Sequence, residues 1–156
     1  FLFLQGPISP FFRELGAAGG KVAAFMPLLN PLYRFRVNLR NHRKILVADG
    51  RVGFTGGLNI GDEYVGKSPH FGHWRDTHLK LEGPAVESLQ RVFLEDWHYA
   101  TEEPVRGPAY YPEPAPRPGS SLVQIVHSGP DAEYKAVRET YFAGILRGRK
   151  RVWIAS

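Results

Sequence analysis

A hairpin signal near the middle of the chain constrains the fold more than any other feature. Ile45 to Ala48 form a short apolar run that ends in Asp49-Gly50, a dipeptide typical of the tight turn between two antiparallel strands. The chain then returns through residues 51–55 to Gly56-Gly57. We therefore predict a β-hairpin in which Gly56-Gly57, at the end of the second strand, lie beside the start of the first strand.

Two polar side chains lie at the start of this hairpin. His42 and Lys44 are two residues apart, so on a strand their side chains point to the same side, while Arg43 and Ile45 point to the other. At roughly 3.3 Å per residue, the imidazole and the ammonium lie about 7 Å apart along the strand. This spacing suits two groups that meet one phosphoryl group, and glycines without Cβ allow backbone N–H groups to approach its oxygens.

Each of these elements alone has an ordinary explanation, such as a solvated lysine or a simple turn. Together they form the pattern His-x-Lys-x4-Asp-x6-Gly-Gly-x-Asn, whose members are His42, Lys44, Asp49, Gly56, Gly57 and Asn59. This pattern resembles the signature of the phospholipase D superfamily. The flanking residues 40–47, 54–64, 74–78 and 82–86 resemble the bacterial cardiolipin synthases, and the resemblance covers nearly the whole chain, most weakly over residues 1–10.

The resemblance implies a covalent mechanism for His42 and Lys44. His42 would attack the phosphorus of a phosphodiester and form a phosphohistidine, while Lys44 and Asn59 stabilise its oxygens. The backbone of Gly56-Gly57 would assist. Arg40 adds phosphate affinity or is simply solvated.

Two carboxylates near the motif have different expected roles. A nucleophilic histidine needs an acceptor that fixes its tautomer, and we predict that Asp76 serves His42 in this way. The alternative for Asp76 is an ion pair with Arg75 or another local cation. Asp49 belongs to the signature, but its place in the turn favours bracing of the loop over direct chemistry.

In the superfamily that the chain resembles, two such motifs face each other across one site. Only one complete motif occurs here. The second would come from a missing C-terminal region or from a homodimer partner. The resemblance implies that no metal or other cofactor is required. It also implies that phosphatidylglycerol is the donor and the acceptor, with cardiolipin and glycerol as products.

The positive charge of the chain fits an anionic lipid partner such as phosphatidylglycerol. The net charge is +5, and Arg34, Arg36, Arg40, Arg43 and Lys44 lie within eleven residues that contain no acid. A basic segment favours anionic surfaces, either lipid headgroups or nucleic acid. With no cysteines, thiolate chemistry and disulfides are excluded.

No run of residues approaches the roughly 18 apolar residues that span a bilayer. The sequence also lacks an initiator methionine and a signal-peptide pattern. We expect a piece of a longer chain whose membrane helices lie upstream. The resemblance implies a place at the bacterial cytoplasmic membrane, facing the cytoplasm or peripheral.

The remaining pattern predicts an α/β fold, a phospholipase D-like mixed β-sheet flanked by helices, as an incomplete pseudo-two-fold pair. We predict strands over residues 1–4, 21–26, 77–81, 122–126 and 152–155, and helices over about 10–15, 84–99 and from 131. The last two helices have apolar stripes at helical spacing, predicted as core in the first of them: Val86, Leu89, Val92, Phe93 and Trp97, and then Tyr134, Val137, Tyr141 and Ile145. Residues 104–118 hold six prolines and predict a stiff linker. The predicted domains are 1–103 (a first half with the motif), 104–118 (the linker) and 119–156 (the beginning of a second half).

Other functions remain open from the residues alone. A hydrolytic phospholipase D or a nuclease would use the same chemistry with water as acceptor, and a non-catalytic half would only bind anions or membranes. Nucleic acid is the less favoured partner, because the aromatic residues mostly lie on apolar stripes or near prolines. His70, His73, Asp76 and His78 match no standard zinc spacing, so no metal site is predicted.

Overall fold

The computed structural model describes residues 10–25, 41–113, 119–129 and 132–154. The strand predicted at 1–4, the phosphate contact predicted for Arg40 and the helix start predicted at Asp131 lie outside these ranges. The chain divides into two compact units, Phe1–Ser121 and Leu122–Ser156. The three-domain division at residues 103 and 118 stays a prediction.

The first unit contains a three-stranded antiparallel sheet in the order β1-β2-β3. Its helices are α1 (Pro10–Ala17), a short 3-10 helix (Asp62–Val65) and α2 (Ala85–Thr101), and its strands are β1 (Ile45–Ala48), β2 (Val52–Gly56) and β3 (His78–Glu82). The predicted α/β class is therefore confirmed. The described strands pair only antiparallel, whereas we expected a mixed sheet, because each follows its neighbour through a short connection or an irregular loop.

The predicted hairpin is present with the expected turn. Ile45 pairs with Thr55 and Ala48 with Val52. The turn residues Asp49 and Gly50 both have positive φ, 53° and 65°, and the Arg51 N–H donates to the Ala48 carbonyl at 3.0 Å. This backbone form suits the twist of paired strands, which is why Asp-Gly is favoured there.

Helix α2 packs its apolar side on this sheet and forms the core. Val86, Leu89 and Val92 are buried, with exposed fractions of 1%, 3% and 4%. Gly53 in the central strand lies directly beneath Leu89. Phe93, which the helical stripe also predicted as core, is 41% exposed, because it lies at the side of the buried face and stacks on Trp97 instead.

The predicted strand at 21–26 is wrong for the described residues 21–25, which form no strand. Lys21 in this segment makes an ion pair with Glu103, just after α2. The described part of the proline-rich segment contains turns at residues 107–111, and Pro112 lies against Gly50 of the hairpin. The segment is therefore not uniformly extended.

In its described residues, the second unit consists of α3 (Ala136–Arg147) and irregular segments. Residues 122–126 and 152–154, both predicted as strands, form none. A strand requires a hydrogen-bonded neighbour, and neither segment pairs with another part of the described chain. The helix predicted from residue 131 begins only at Ala136, because the described residues 132–135 form a bend, so Tyr134 of the predicted stripe precedes it. The stripe residues Tyr141 and Ile145 are 61% and 46% exposed.

Candidate active site

The segments that contain His42, Lys44, Gly56 and Gly57 of the motif lie at one end of the sheet. Residues 41–44 lead directly into β1, which begins at Ile45 opposite Thr55. Gly56 ends β2 and pairs with His78 at the start of β3. The pairing continues one step further, because the Gly57 N–H donates to the Thr77 carbonyl at 3.0 Å. The segments that contain His42, Gly57 and Asp76 therefore lie at the same end of the sheet, which we call the motif edge.

His42 and Lys44 precede the first strand instead of lying on it. His42 is exposed and Lys44 is half-buried. The Lys44 ammonium donates to the backbone carbonyl of His42 at 2.8 Å, so its charge stays beside the imidazole-bearing residue. The ammonium therefore lies beside the His42 backbone, and regular strand structure begins only at Ile45. The predicted placement of the two side chains at one phosphoryl group stays a prediction.

The alternation of sides in this segment also agrees with the sequence. The Arg43 guanidinium makes an ion pair with Asp96 of α2, so Arg43 points toward the helix. The Asn41 amide donates to the other carboxylate oxygen of Asp96 at 2.8 Å. By the same alternation, we expect His42 and Lys44 on the side away from α2.

Asp76 lies against the glycine pair. A Cβ added to Gly57 would fall 2.3 Å from Oδ1 of Asp76, so only glycine fits at this position without displacing the carboxylate. The other oxygen, Oδ2, accepts a hydrogen bond from the Trp74 indole at 2.7 Å. The Trp74 ring packs edge-on against Tyr64 and Phe71, with centroid distances of 5.3 and 5.8 Å. Two aromatic rings thus pack against the residue whose indole donates to Asp76.

The role predicted for Asp76, to hold the free nitrogen of His42, stays a prediction. Within the described ranges its carboxylate accepts from Trp74 and is not joined by a hydrogen bond to His42. Oδ1 of Asp76 faces the backbone of Gly57. In the described part of the chain this oxygen accepts no hydrogen bond, so it could accept one from a further donor. The alternative ion pair with Arg75 is likewise not among the ion pairs of the described residues.

The other predicted site residues lie at different places. Asp49 is exposed in the hairpin turn, at the opposite end of β1 from Lys44, which fits the bracing role better than direct chemistry. Asn59 is half-buried two residues beyond Gly57, near the motif edge. Arg40 is outside the described residues.

Sequence reasoning missed two features of the motif edge. Asp96 and Asn41 were given no role, although an acid four residues after Val92 on the buried stripe of α2 was a usable signal. His78 and Lys80 repeat the His-x-Lys spacing in β3, with Ala85 at the position of the aspartate. His78 stands opposite Gly56, and Lys80 makes an ion pair with Glu82 at 2.6 Å.

An ion pair near the end of α2 shifts the pKa values of both of its members, Lys21 and Glu103. The hydrogen bond from the Lys21 ammonium lowers the pKa of the Glu103 carboxyl, and the Trp97 indole contributes to the same shift. The same bond raises the pKa of Lys21.

Among the residues that the structure describes, no group of three or more histidine and carboxylate side chains could hold a metal ion.

Comparison with known proteins agrees with the resemblance seen in the motif. No family model and no solved structure matches the chain. The chain is 46% identical over 147 residues to a cardiolipin synthase from Geobacillus thermodenitrificans and 48% identical over 147 residues to cardiolipin synthase 2 from Bacillus cereus. It is 42% identical over 153 residues to cardiolipin synthase 1 from Bacillus anthracis. Each match covers 94% of this chain.

This α/β chain is therefore a homologue of the cardiolipin synthases. It spans about 29% of the length of the curated relatives it matches. Within its described residues, no helix is long and apolar enough to cross a membrane.

Proposed function

We propose that this chain supplies the nucleophilic half of a phosphatidyltransferase that joins two phosphatidylglycerols into cardiolipin. Two observations support the proposal. The segments that carry His42, Lys44, Gly57 and Asp76 lie at the same end of the sheet, and the chain is 42% to 48% identical to cardiolipin synthases. The proposed location is the bacterial cytoplasmic membrane, where the basic character of the chain favours anionic headgroups.

In the first step, a ring nitrogen of His42 attacks the phosphorus of one phosphatidylglycerol. A nitrogen–phosphorus bond forms, the bond from phosphorus to the glycerol oxygen breaks, and glycerol leaves with a proton from a second histidine. Lys44 and Asn59 stabilise the charge on the phosphoryl oxygens. The Gly57 N–H is already bonded to the Thr77 carbonyl, so Gly56-Gly57 contribute the close approach that the missing Cβ atoms permit. Asp76 holds the other nitrogen of His42.

In the second step, the same second histidine takes the proton from the hydroxyl of another phosphatidylglycerol. That oxygen attacks phosphorus, the bond to His42 breaks, and cardiolipin is released. The second histidine comes from a second copy of the chain or from another part of the protein. The chain's own residues bind the phosphate and carry the phosphatidyl group, and the proposal needs no cofactor.

The test compares wild type, His42→Ala and the matched control His70→Ala, an exposed histidine in the loop after the 3-10 helix. Each protein is purified in detergent and incubated with phosphatidylglycerol. One series contains the chain alone, and a second adds the part of the Geobacillus thermodenitrificans cardiolipin synthase that this chain does not match. Cardiolipin and acid-labile phosphate on histidine are measured.

Cardiolipin from wild type and His70→Ala, but not from His42→Ala, is the expected result. Its formation by the chain alone would identify a second copy as the source of the other histidine, and its dependence on the added part would identify that part. No product in either series contradicts the proposal.

The alternatives give different products in the same samples. Phosphatidic acid, formed whatever alcohol is present, would indicate a hydrolase, and cleavage of added DNA would indicate a nuclease. Salt-sensitive vesicle binding that survives His42→Ala, without any product, would indicate a non-catalytic half.

A further inference from the structure

Asp96 of helix α2 holds both neighbours of His42 in the chain. Its Oδ2 accepts a hydrogen bond from the Asn41 side-chain amide at 2.8 Å. Its Oδ1 pairs with the guanidinium of Arg43. The ring of contacts is closed locally, because the Arg43 backbone N–H donates to the Asn41 side-chain oxygen at 2.8 Å.

The position of Asp96 is unusual for a carboxylate. It follows Val92 by one helical turn and Leu89 by two, so it lies on the stripe that α2 buries against the sheet. Its side chain is only 18% exposed, and that of Arg43 is 27% exposed. A partly buried charge is costly unless it is paired and hydrogen-bonded, so this carboxylate favours one arrangement of residues 41–43.

We propose that Asp96 is a positioning residue for His42. It fixes the backbone on both sides of the nucleophile to a rigid helix, so that the imidazole and the Lys44 ammonium emerge on the side away from α2. Residues 41–44 have no strand partner of their own in the described chain, so this contact replaces the support that a sheet would give. The inference rests on the proposed function of His42.

The physical reason for such an anchor is the geometry of in-line attack. A nucleophile must be held near its reacting atom, and a displacement of about 1 Å can reduce the rate about 100-fold. His42 itself is exposed, and its side chain is not held by a hydrogen bond within the described residues. Within those residues, the contacts of Asn41 and Arg43 with Asp96 hold the chain on both sides of His42, and they complement the hold on the ring proposed for Asp76.

The test uses Asp96→Asn, which keeps the shape but removes the charge, and Asp96→Glu, which keeps the charge. Arg43→Gln removes the other side of the pair. The control is Glu87→Gln, on the same helix, whose exposed ion pair with Arg91 lies at 3.0 Å. The measurements are kcat and KM for cardiolipin formation in the assay above, amide hydrogen exchange of residues 41–45, and the NMR signals of the His42 ring.

We expect Asp96→Asn and Arg43→Gln to lower kcat about 10- to 100-fold while KM changes less than about threefold. Exchange of residues 41–45 should rise, and the His42 ring signals should shift or broaden. Asp96→Glu should recover part of kcat. Glu87→Gln should behave as wild type in all three measurements.

Two outcomes would overturn the inference. One is an Asp96→Asn protein with unchanged exchange, ring signals and kcat, and the other is a loss confined to KM or shared by Glu87→Gln. If wild type makes no cardiolipin, the proposed function fails, and the exchange and ring signals still decide whether Asp96 positions His42. If Asp96→Asn does not fold, Arg43→Gln and Asp96→Glu carry the same comparison.

Discussion

Asp76 and Gly57 are in such close contact that a methyl group at position 57 would lie 2.3 Å from Oδ1 of the carboxylate. The contact joins the loop that precedes β3 to the glycine pair at the end of β2. It places a carboxylate where the motif predicted a phosphate-binding backbone. The motif edge therefore contains both the proposed anion site and the acid proposed to orient its nucleophile.

The first prediction concerns this contact. Gly57→Ala should displace the Asp76 carboxylate and lower cardiolipin formation about tenfold or more, because the new Cβ cannot occupy the same space. The control is Gly16→Ala in α1, where a Cβ would meet nothing within 4 Å. Equal activity of the two variants would show that the position of Asp76 does not matter.

Trp74 provides a second test of the same carboxylate. Trp74→Phe removes the indole donor to Oδ2 but keeps an aromatic ring beside Tyr64 and Phe71. We expect about a tenfold lower kcat, since a hydrogen bond to a charged group is lost. Phe71→Leu is the control, because it alters the ring packing and leaves the indole donor in place. A larger loss in Phe71→Leu than in Trp74→Phe would argue that packing matters more than the hydrogen bond.

Lys44 should contribute charge to the reaction and little to stability. Its ammonium donates to an exposed carbonyl, so Lys44→Met should leave the melting temperature nearly unchanged. Cardiolipin formation should fall about 100-fold or more, because a cation at the phosphoryl oxygens is lost. Lys67→Met, an exposed lysine of the intervening loop, should retain activity. A strong loss of stability in Lys44→Met would indicate a structural role instead.

The packing of α2 on the sheet predicts where stability resides. Leu89→Ala should lower the free energy of unfolding by about 2–5 kcal/mol, because it leaves a cavity above Gly53. Leu46→Ala on β1, where the side chain is 57% exposed, should cost less than about 1 kcal/mol. Chemical denaturation of the chain measures both values, and similar losses would contradict the described core.

The pair of Lys21 and Glu103 predicts an acid-dependent contact. Because the hydrogen bond from Lys21 lowers the pKa of Glu103, the contact is present at neutral pH and is lost as pH falls through that lowered pKa. Carboxyl NMR of Glu103 should give a midpoint below the ordinary glutamate range, and Lys21→Met should raise it. An unchanged midpoint in Lys21→Met would assign the shift to another donor, such as Trp97.

Several elements could be predicted from the sequence because their causes are local. Asp49-Gly50 predicts its turn through backbone preference, and the apolar stripe from Val86 to Val92 predicts α2 through helical periodicity. The strands predicted at 122–126 and 152–155 are different, since a strand exists only when another strand pairs with it. Apolar patterning alone identifies segments able to pair without identifying the partner.

The sequence by itself determined the spacing of His42, Lys44 and Gly56-Gly57 and the hairpin that joins them. Only the tertiary structure decided that Asp76 reaches Gly57 and that Asp96 reaches Asn41 and Arg43. The physical reason is the distance along the chain over which each kind of interaction acts. Turn and helix preferences act between neighbouring residues, whereas the register of β3 against β2 and the packing of α2 depend on the whole folded unit and bring distant side chains into contact.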